Sequence, residues 1–208
     1  MTWTLLGVIA GIWILQWIAL ASSARLHDYL FVVNTDWPLR PWSPITSTFA
    51  HATYAFRPDG TQFVYYQHIF FNGLMLYFFG PHLERLWGPK RFAMLFVAAG
   101  AVTGIAQVHL SALFGTGGGA LGASGALMML FGALAILAPT MKLLLFFILP
   151  VPFWAAAIGY ALVDVLGAFH PGNGIGNFAH LAGMAIGLYV GQRTKKGLAE
   201  RGLTLHYG

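Results

Sequence analysis

An all-α membrane protein, one bundle of six transmembrane helices, is the fold the sequence predicts, and three observations predict it. The first is composition: 58% of the 208 residues are hydrophobic and 8% are charged, with a mean hydropathy of +0.69, well outside soluble-domain usage. The second is the recurrence of six segments of about the 20 apolar residues that a spanning helix requires. The third is that Lys and Arg gather in alternate connections, the asymmetry that orients membrane helices.

The first helix is expected over residues 3–21. The "ALASSA" that closes it has the small residues of a signal-peptide cleavage site, but no Lys or Arg precedes the run. The run is also longer than an excised leader needs, so a retained helix is expected. A long outer loop over 23–62 carries three Arg against three Asp. The second helix, 63–80, leads into "LERLWGPKRF", where Arg85, Lys90 and Arg91 mark the cytoplasmic side. The third, 92–113, is followed by the glycine-rich "GTGGGALGASGAL" without Lys, Arg, Asp or Glu, which opens the fourth helix, 122–138. Lys142 lies in the turn before the fifth, 143–167. The sixth, 177–192, follows another uncharged connection and runs into a tail with Arg193, Lys195, Lys196 and Arg201.

These signs make the chain one domain, 1–208, multi-pass in the cell membrane with both termini cytoplasmic. The net charge of +5 belongs to helix ends and speaks for orientation, so nucleic acid is not an expected partner. The absence of cysteine excludes disulfides, thiolate metal ligands and a cysteine nucleophile. Neither metal nor cofactor is expected.

Counting inward from the outer helix ends at about 1.5 Å per residue brings four polar side chains to one depth. Ser124 falls in the first turn of the fourth helix and His180 after about one turn of the sixth. His68 and Asn72 of "HIFFN" stand four apart on one face of the second. Polar groups at membrane depth are costly and face a bundle interior or a wet cavity. The sixth helix reads "HLAGMAIGLYVG", with Gly183, Gly187 and Gly191 spaced by four, the small-residue pattern of close helix approach. Gly125 and Gly132 of the fourth are complementary. That packing would carry Ser124 toward His180, and Gly122, Gly125, Gly183 and Gly187 are the packing residues nearest the site.

"HIFFN", "LERLWGPKRF", "GASG" and "AHLAGMAIG", in this order along six helices, resemble the rhomboid family of intramembrane serine proteases, and the resemblance spans most of the chain. It implies a rhomboid-type fold and a Ser-His dyad that hydrolyses peptide bonds in or near transmembrane segments of other membrane proteins. Ser124 would be the nucleophile and His180 the general base and then acid. Asn72, His68 and the backbone N–H of Ser124 would hold the oxyanion. Transmembrane substrates and the lipid bilayer are the partners it implies, with the site opening toward the outer face. Asp164, the one acid near this depth, is expected to make a structural hydrogen bond, although a triad role stays open.

The chain also departs from the family pattern. Trp42 is followed by Ser43 where an Arg is usual, with Arg40 before the Trp. The stretch between His51 and His68 is longer than usual, and Met128 stands where an aromatic packing on the histidine is common. Two other function classes remain as alternatives: a catalytically inactive rhomboid-like protein that binds membrane helices, and a small transporter using the polar cluster as a solute site.

Overall fold

The computed structural model describes residues 1–56, 60–145, 148–170 and 175–203. Residues 57–59 of the expected long loop, 146–147 of the expected fifth helix, 171–174 of the connection before the sixth, and 204–208 lie outside the described residues. Among those described there are eight α-helices and two small hairpins. In chain order they are α1 (Thr2–Ser22), α2 (Ala24–Phe31), α3 (Ser43–Phe49), β1 (Tyr54–Phe56), β2 (Gln62–Val64), α4 (Gln67–Trp87) and α5 (Pro89–Leu113). There follow α6 (Ser124–Leu137), β3 (Lys142–Leu145), β4 (Leu149–Pro152), α7 (Phe153–Ala168) and α8 (Asn177–Ala199).

Three helix extents differ from expectation, and the simplest is the sixth helix, which runs seven residues past 192 to Ala199. The fifth expected helix begins ten residues late, because its first part is an antiparallel hairpin pairing Lys142 with Pro152 and Leu145 with Leu149. Pro150 and Pro152 lack N–H donors and bias the residues before them away from helix. A continuous leucine run carries no period that separates helix from strand. The second expected helix starts at Gln67, since residues 62–64 pair with 54–56. It then runs on to Trp87, past Pro81, and Gly88 ends it at φ 77°.

Two helices, α1 and α5, are by themselves long and apolar enough to cross a membrane. The shortfall from six has a physical origin. Helix α4 carries Gln67, His68, Asn72, His82, Glu84 and Arg85, and α8 ends in a charged turn. The apolar α6 and α7 have 14 and 16 residues, about 21 and 24 Å at 1.5 Å per residue, short of the roughly 30 Å of bilayer hydrocarbon.

Helix α6 is the core. Ala126, Leu127, Met129, Leu130, Leu134 and their neighbours are buried on every side, which its uniformly apolar sequence allows. Against it lies α8, at a distance only glycine permits. A Cβ on Gly183 would collide with the carbonyl oxygen of Gly125, one on Gly187 with that of Met129, and one on Gly191 would sit 2.9 Å from that of Ala133.

The two ends of the bundle have different chemistry. At one, the α-ammonium of Met1 meets Glu84 Oε1 at 2.6 Å, Thr2 donates to Glu84 Oε2, and the Trp87 indole donates to Thr194 at 3.1 Å. At the other, Arg40 folds inward and gathers the first loop, donating to the Asp28 and Val32 carbonyls at 3.1 and 3.3 Å and pairing with Asp36. Trp42 caps the Tyr29 carbonyl at 3.2 Å. Ser43 is fully buried at the start of α3.

Candidate active site

Helix α6 needs a lead-in, and the glycine-rich coil before it is sewn to distant parts of the chain. Ala120 pairs with Val33 through two backbone hydrogen bonds of 2.8 and 3.0 Å, and Gly122 N–H donates to the Ser47 carbonyl at 2.8 Å. The Ala123 N–H points at His51 Nε2, 3.5 Å away. Gly122 has φ 127°, a conformation that L side chains rarely adopt. A Cβ there would also meet His68 Cε1 and Nε2 at 3.0 Å. Glycine is thus required both by the turn and by the ring beside it.

His51 is fully buried. Its Nδ1–H donates to the Phe49 carbonyl at 3.2 Å, which leaves Nε2 as the acceptor facing Ala123. Its backbone N–H donates to the buried Gln16 at 2.8 Å. Burial above all, with the neighbouring His68 adding, pushes the His51 imidazole down to about 3, so the ring is neutral at ordinary pH. The sequence names His51 only as a spacing landmark and gives no site role to it, to Ser47 or to Gln107. Buried polar residues in an apolar chain were the available signal, but their partners lie as many as 75 residues away.

His68 stands edge-on to His51, with ring centroids 5.0 Å apart. The Ala52 N–H donates to His68 Nδ1 at 3.2 Å, so the ring proton sits on Nε2, the edge that faces Gly122 and lies near Ser124. Asn72, one turn on, donates one amide hydrogen to the His68 carbonyl at 2.9 Å and keeps a second.

His180 comes from the second turn of α8. Its Nδ1 meets Asp164 Oδ1 at 3.0 Å, and Asn177 donates to the same oxygen at 3.0 Å. On the other flank, the Ala179 N–H donates to Gln107, which donates on to Ser111. Ser124, His180, His68 and Asn72 line one cavity of about 1000 Å³, together with Gly122, Gly125 and Met128. Gly183 and Gly187 lie on the seam beneath it. Among the described residues no hydrogen bond joins the Ser124 hydroxyl to the His180 ring, and no group of three or more His, Asp or Glu has the spacing of a metal site.

An apolar helical chain that gathers a serine, histidines and asparagines around one cavity, with an aspartate bonded to one of the histidines, has the architecture of a membrane protein with a polar site between its helices. The chain belongs to the rhomboid family: the rhomboid domain profile matches residues 61–196, from before α4 to the last turn of α8. RHOMBOID-like protein 12, mitochondrial, of Arabidopsis thaliana is 28% identical over 205 residues, covering 90% of this chain and 56% of the relative. Rhomboid protease GlpG of Haemophilus influenzae is 34% identical over 125 residues, 60% of each chain. This chain therefore spans less than two thirds of the length of either relative. The family is embedded in membranes.

Proposed function

We propose that this rhomboid is an intramembrane serine endopeptidase that cuts transmembrane segments of other membrane proteins, with Ser124 as nucleophile and His180 as its base. One observation carries the reading: Ser124 opens the shortest and most buried of the long helices and lines the same cavity as a histidine whose Nδ1 is already engaged. With Nδ1–H donated to Asp164, the Nε2 lone pair is the one free to take a proton. A serine is a poor nucleophile without such a base. Catalytic hydrogen bonds commonly close only once substrate is bound, so the open Ser124–His180 pair is compatible with the role.

In the proposed reaction Ser124 Oγ attacks the scissile carbonyl while its proton passes to His180 Nε2. The oxyanion is held by Nε2–H of His68, the free amide hydrogen of Asn72 and the Ser124 N–H. Collapse breaks the C–N bond as His180 returns the proton to the leaving amine, and water then resolves the acyl-enzyme.

Six helices, α1, α4, α5, α6, α7 and α8, cross the bilayer in this reading, with both termini cytoplasmic and the cavity toward the outer face. The shortness of α6 then has a purpose. A helix of about 21 Å in a core of roughly 30 Å begins below the surface, and irregular backbone at that depth is tolerated only where it lines a wet or protein-walled cavity. That is where hydrolysis needs its water.

Purified protein treated with a fluorophosphonate tests the reading. Ser124 is expected to be labelled, Ser124→Ala to be unlabelled, and both Ser124→Ala and His180→Ala to lose cleavage of a model transmembrane substrate while still folding. Folded protein that binds the substrate without cutting it would instead mark an inactive, helix-binding rhomboid. Accessibility labelling at positions 88 and 117 tests the orientation: 88 is expected inside and 117 outside.

A further inference from the structure

We infer that the end of the bundle away from the cavity holds a site for an anionic phospholipid, with the headgroup phosphate on Arg85 and Lys90 and an acyl chain against Trp3 and Tyr77. The inference takes from the reading above only that α1 and α4 cross the bilayer, and it does not depend on proteolysis.

A groove of about 760 Å³ runs between the start of α1 and the last turns of α4. Tyr77, Pro81 and Arg85 line it at four-residue spacing, so they share one face of α4. Arg85 lies about 12 Å further along the axis than Tyr77, at 1.5 Å per residue. Facing them from α1 is Trp3, 68% exposed and edge-on to Tyr77 with ring centroids 5.4 Å apart. Phe78 adds a third exposed ring to the same wall. Aromatic rings followed by a cation next to the helix end repeat the order in which a phospholipid presents its chains and then its phosphate. Trp and Tyr suit that level of a bilayer because each ring is apolar in its body and polar at its tip.

Charge identifies the occupant. Arg85 Nε–H donates to the Pro81 carbonyl at 3.0 Å, which lays the guanidinium along the helix and leaves the N–H bonds of its two terminal amino groups. Among the described residues Arg85 forms no ion pair, and neither do the exposed Lys90 and Arg91 that follow Gly88 and Pro89 at the rim of the groove. The acid on that rim, Glu84, is engaged by α1: Thr2 donates to it through N–H and hydroxyl at 2.8 and 2.7 Å, and the Met1 ammonium at 2.6 Å. Three cations without a counter-charge beside an apolar groove match a lipid of net negative charge. The planar fork of an arginine fits two phosphate oxygens at once. A zwitterionic lipid brings its own cation to the three already there, and an apolar protein segment would fill the groove while leaving them unpaired.

The test uses full-length protein purified in an uncharged detergent and read by native mass spectrometry, with dioleoyl phosphatidylglycerol, dioleoyl phosphatidylcholine and inorganic phosphate as probes. Wild type is expected to retain phosphatidylglycerol in preference to phosphatidylcholine. Arg85→Gln should weaken that lipid about fivefold, and Arg85→Gln with Lys90→Gln and Arg91→Gln about 10²-fold, the scale of one and of three basic residues acting on an anionic lipid. Trp3→Ala should weaken both lipids alike, since the acyl chain is common to them. Arg193→Gln with Lys195→Gln, on the last turns of α8 and outside the groove, should leave the preference as it is. An equal loss in that variant would reduce the effect to net charge, displacement by inorganic phosphate would make the groove a free-anion site, and a wild-type preference in the triple variant would remove the cations from the account; each of these overturns the inference. Fluorophosphonate labelling separates its fate from that of the protease reading. Folded protein that is never labelled at Ser124 but still selects phosphatidylglycerol sinks the protease reading alone, and labelled protein that selects neither lipid sinks the lipid site alone.

Discussion

The two walls of the cavity are packed in opposite ways. The wall that carries Ser124 is α6, of whose 14 residues 12 are buried, clamped to α8 through backbone contacts that only glycine allows. The wall that carries Asp164 is α7, of whose 16 residues five are buried, and whose Ile158, Leu162, Val163, Val165 and Leu166 face outward. The helix of Ser124 thus has no room to move. The carboxylate's helix is held to the rest mainly by Phe153, its small Ala156 and Ala157, and the polar knot at Asp164. A protease that must admit a helix from the side needs both: a site rigid enough to orient reacting atoms and a flank that can give way.

Four measurements break or sharpen that contrast, beginning with the largest expected effect. Asn72, on α4, lines the cavity beside the rigid wall, and on the proposed reading one of its amide hydrogens serves an oxyanion. Asn72→Ala is expected to lower turnover by about 10² to 10³-fold, the scale of a lost oxyanion donor, with little change in melting. Unchanged activity per folded molecule would reduce Asn72 to a cap on the His68 carbonyl.

Next in size is the seam. Gly187→Leu drives a side chain into the Met129 carbonyl and is expected to destabilise by about 1–3 kcal/mol or more, read as a lower thermal midpoint in detergent. A neutral result would mean that α6 and α8 can separate, and the rigid wall would not be rigid.

The third concerns His51, which anchors the coil before Ser124 and lies outside the helices. Its pKa in the fold, about 3, is below the 6.5 of a free histidine, so the unfolded chain binds the extra proton between those two values. Its contribution to stability is therefore fully present above about pH 6.5. It is lost as pH falls toward 3, with a limiting slope of about 1.4 kcal/mol per pH unit. His51→Phe is expected to flatten acid-induced loss of stability in that window; an unaltered pH profile would remove His51 from the account.

The smallest effect belongs to α7. Val163→Ala and Leu166→Ala, at 64% and 69% exposure, are expected to shift stability by no more than about 0.5 kcal/mol. If they cost as much as Gly187→Leu, α7 is firmly held and the contrast between the walls collapses.

How far the sequence could be read depended on the range of the interactions. Helix α1, the end of α5 at Leu113 and the start of α8 at Asn177 follow from local apolar runs and charged flanks. The glycines at 183, 187 and 191 announce a close approach because their spacing is a property of one helix. Residues 143–152 read as helix in the sequence because leucine runs lack a diagnostic period. The hairpin there is stabilised by pairing across the turn, which no window of the sequence displays. His51 was invisible for a similar reason: its partners are Gln16, Phe49, His68 and Ala123, brought together only by folding.

By itself, then, the sequence determined the solvent, the alternation of basic connections and which polar residues would be expensive at depth, because hydropathy, charge and helical spacing are local quantities. The tertiary structure alone decided that Asp164 meets Nδ1 of His180, that Gly122 N–H is tied to Ser47, and that Nε2 of His68 faces the serine. The first two are hydrogen bonds of 3.0 and 2.8 Å and the third is a close approach beside Gly122, and all three exist only once the apolar helices have packed and fixed the distance.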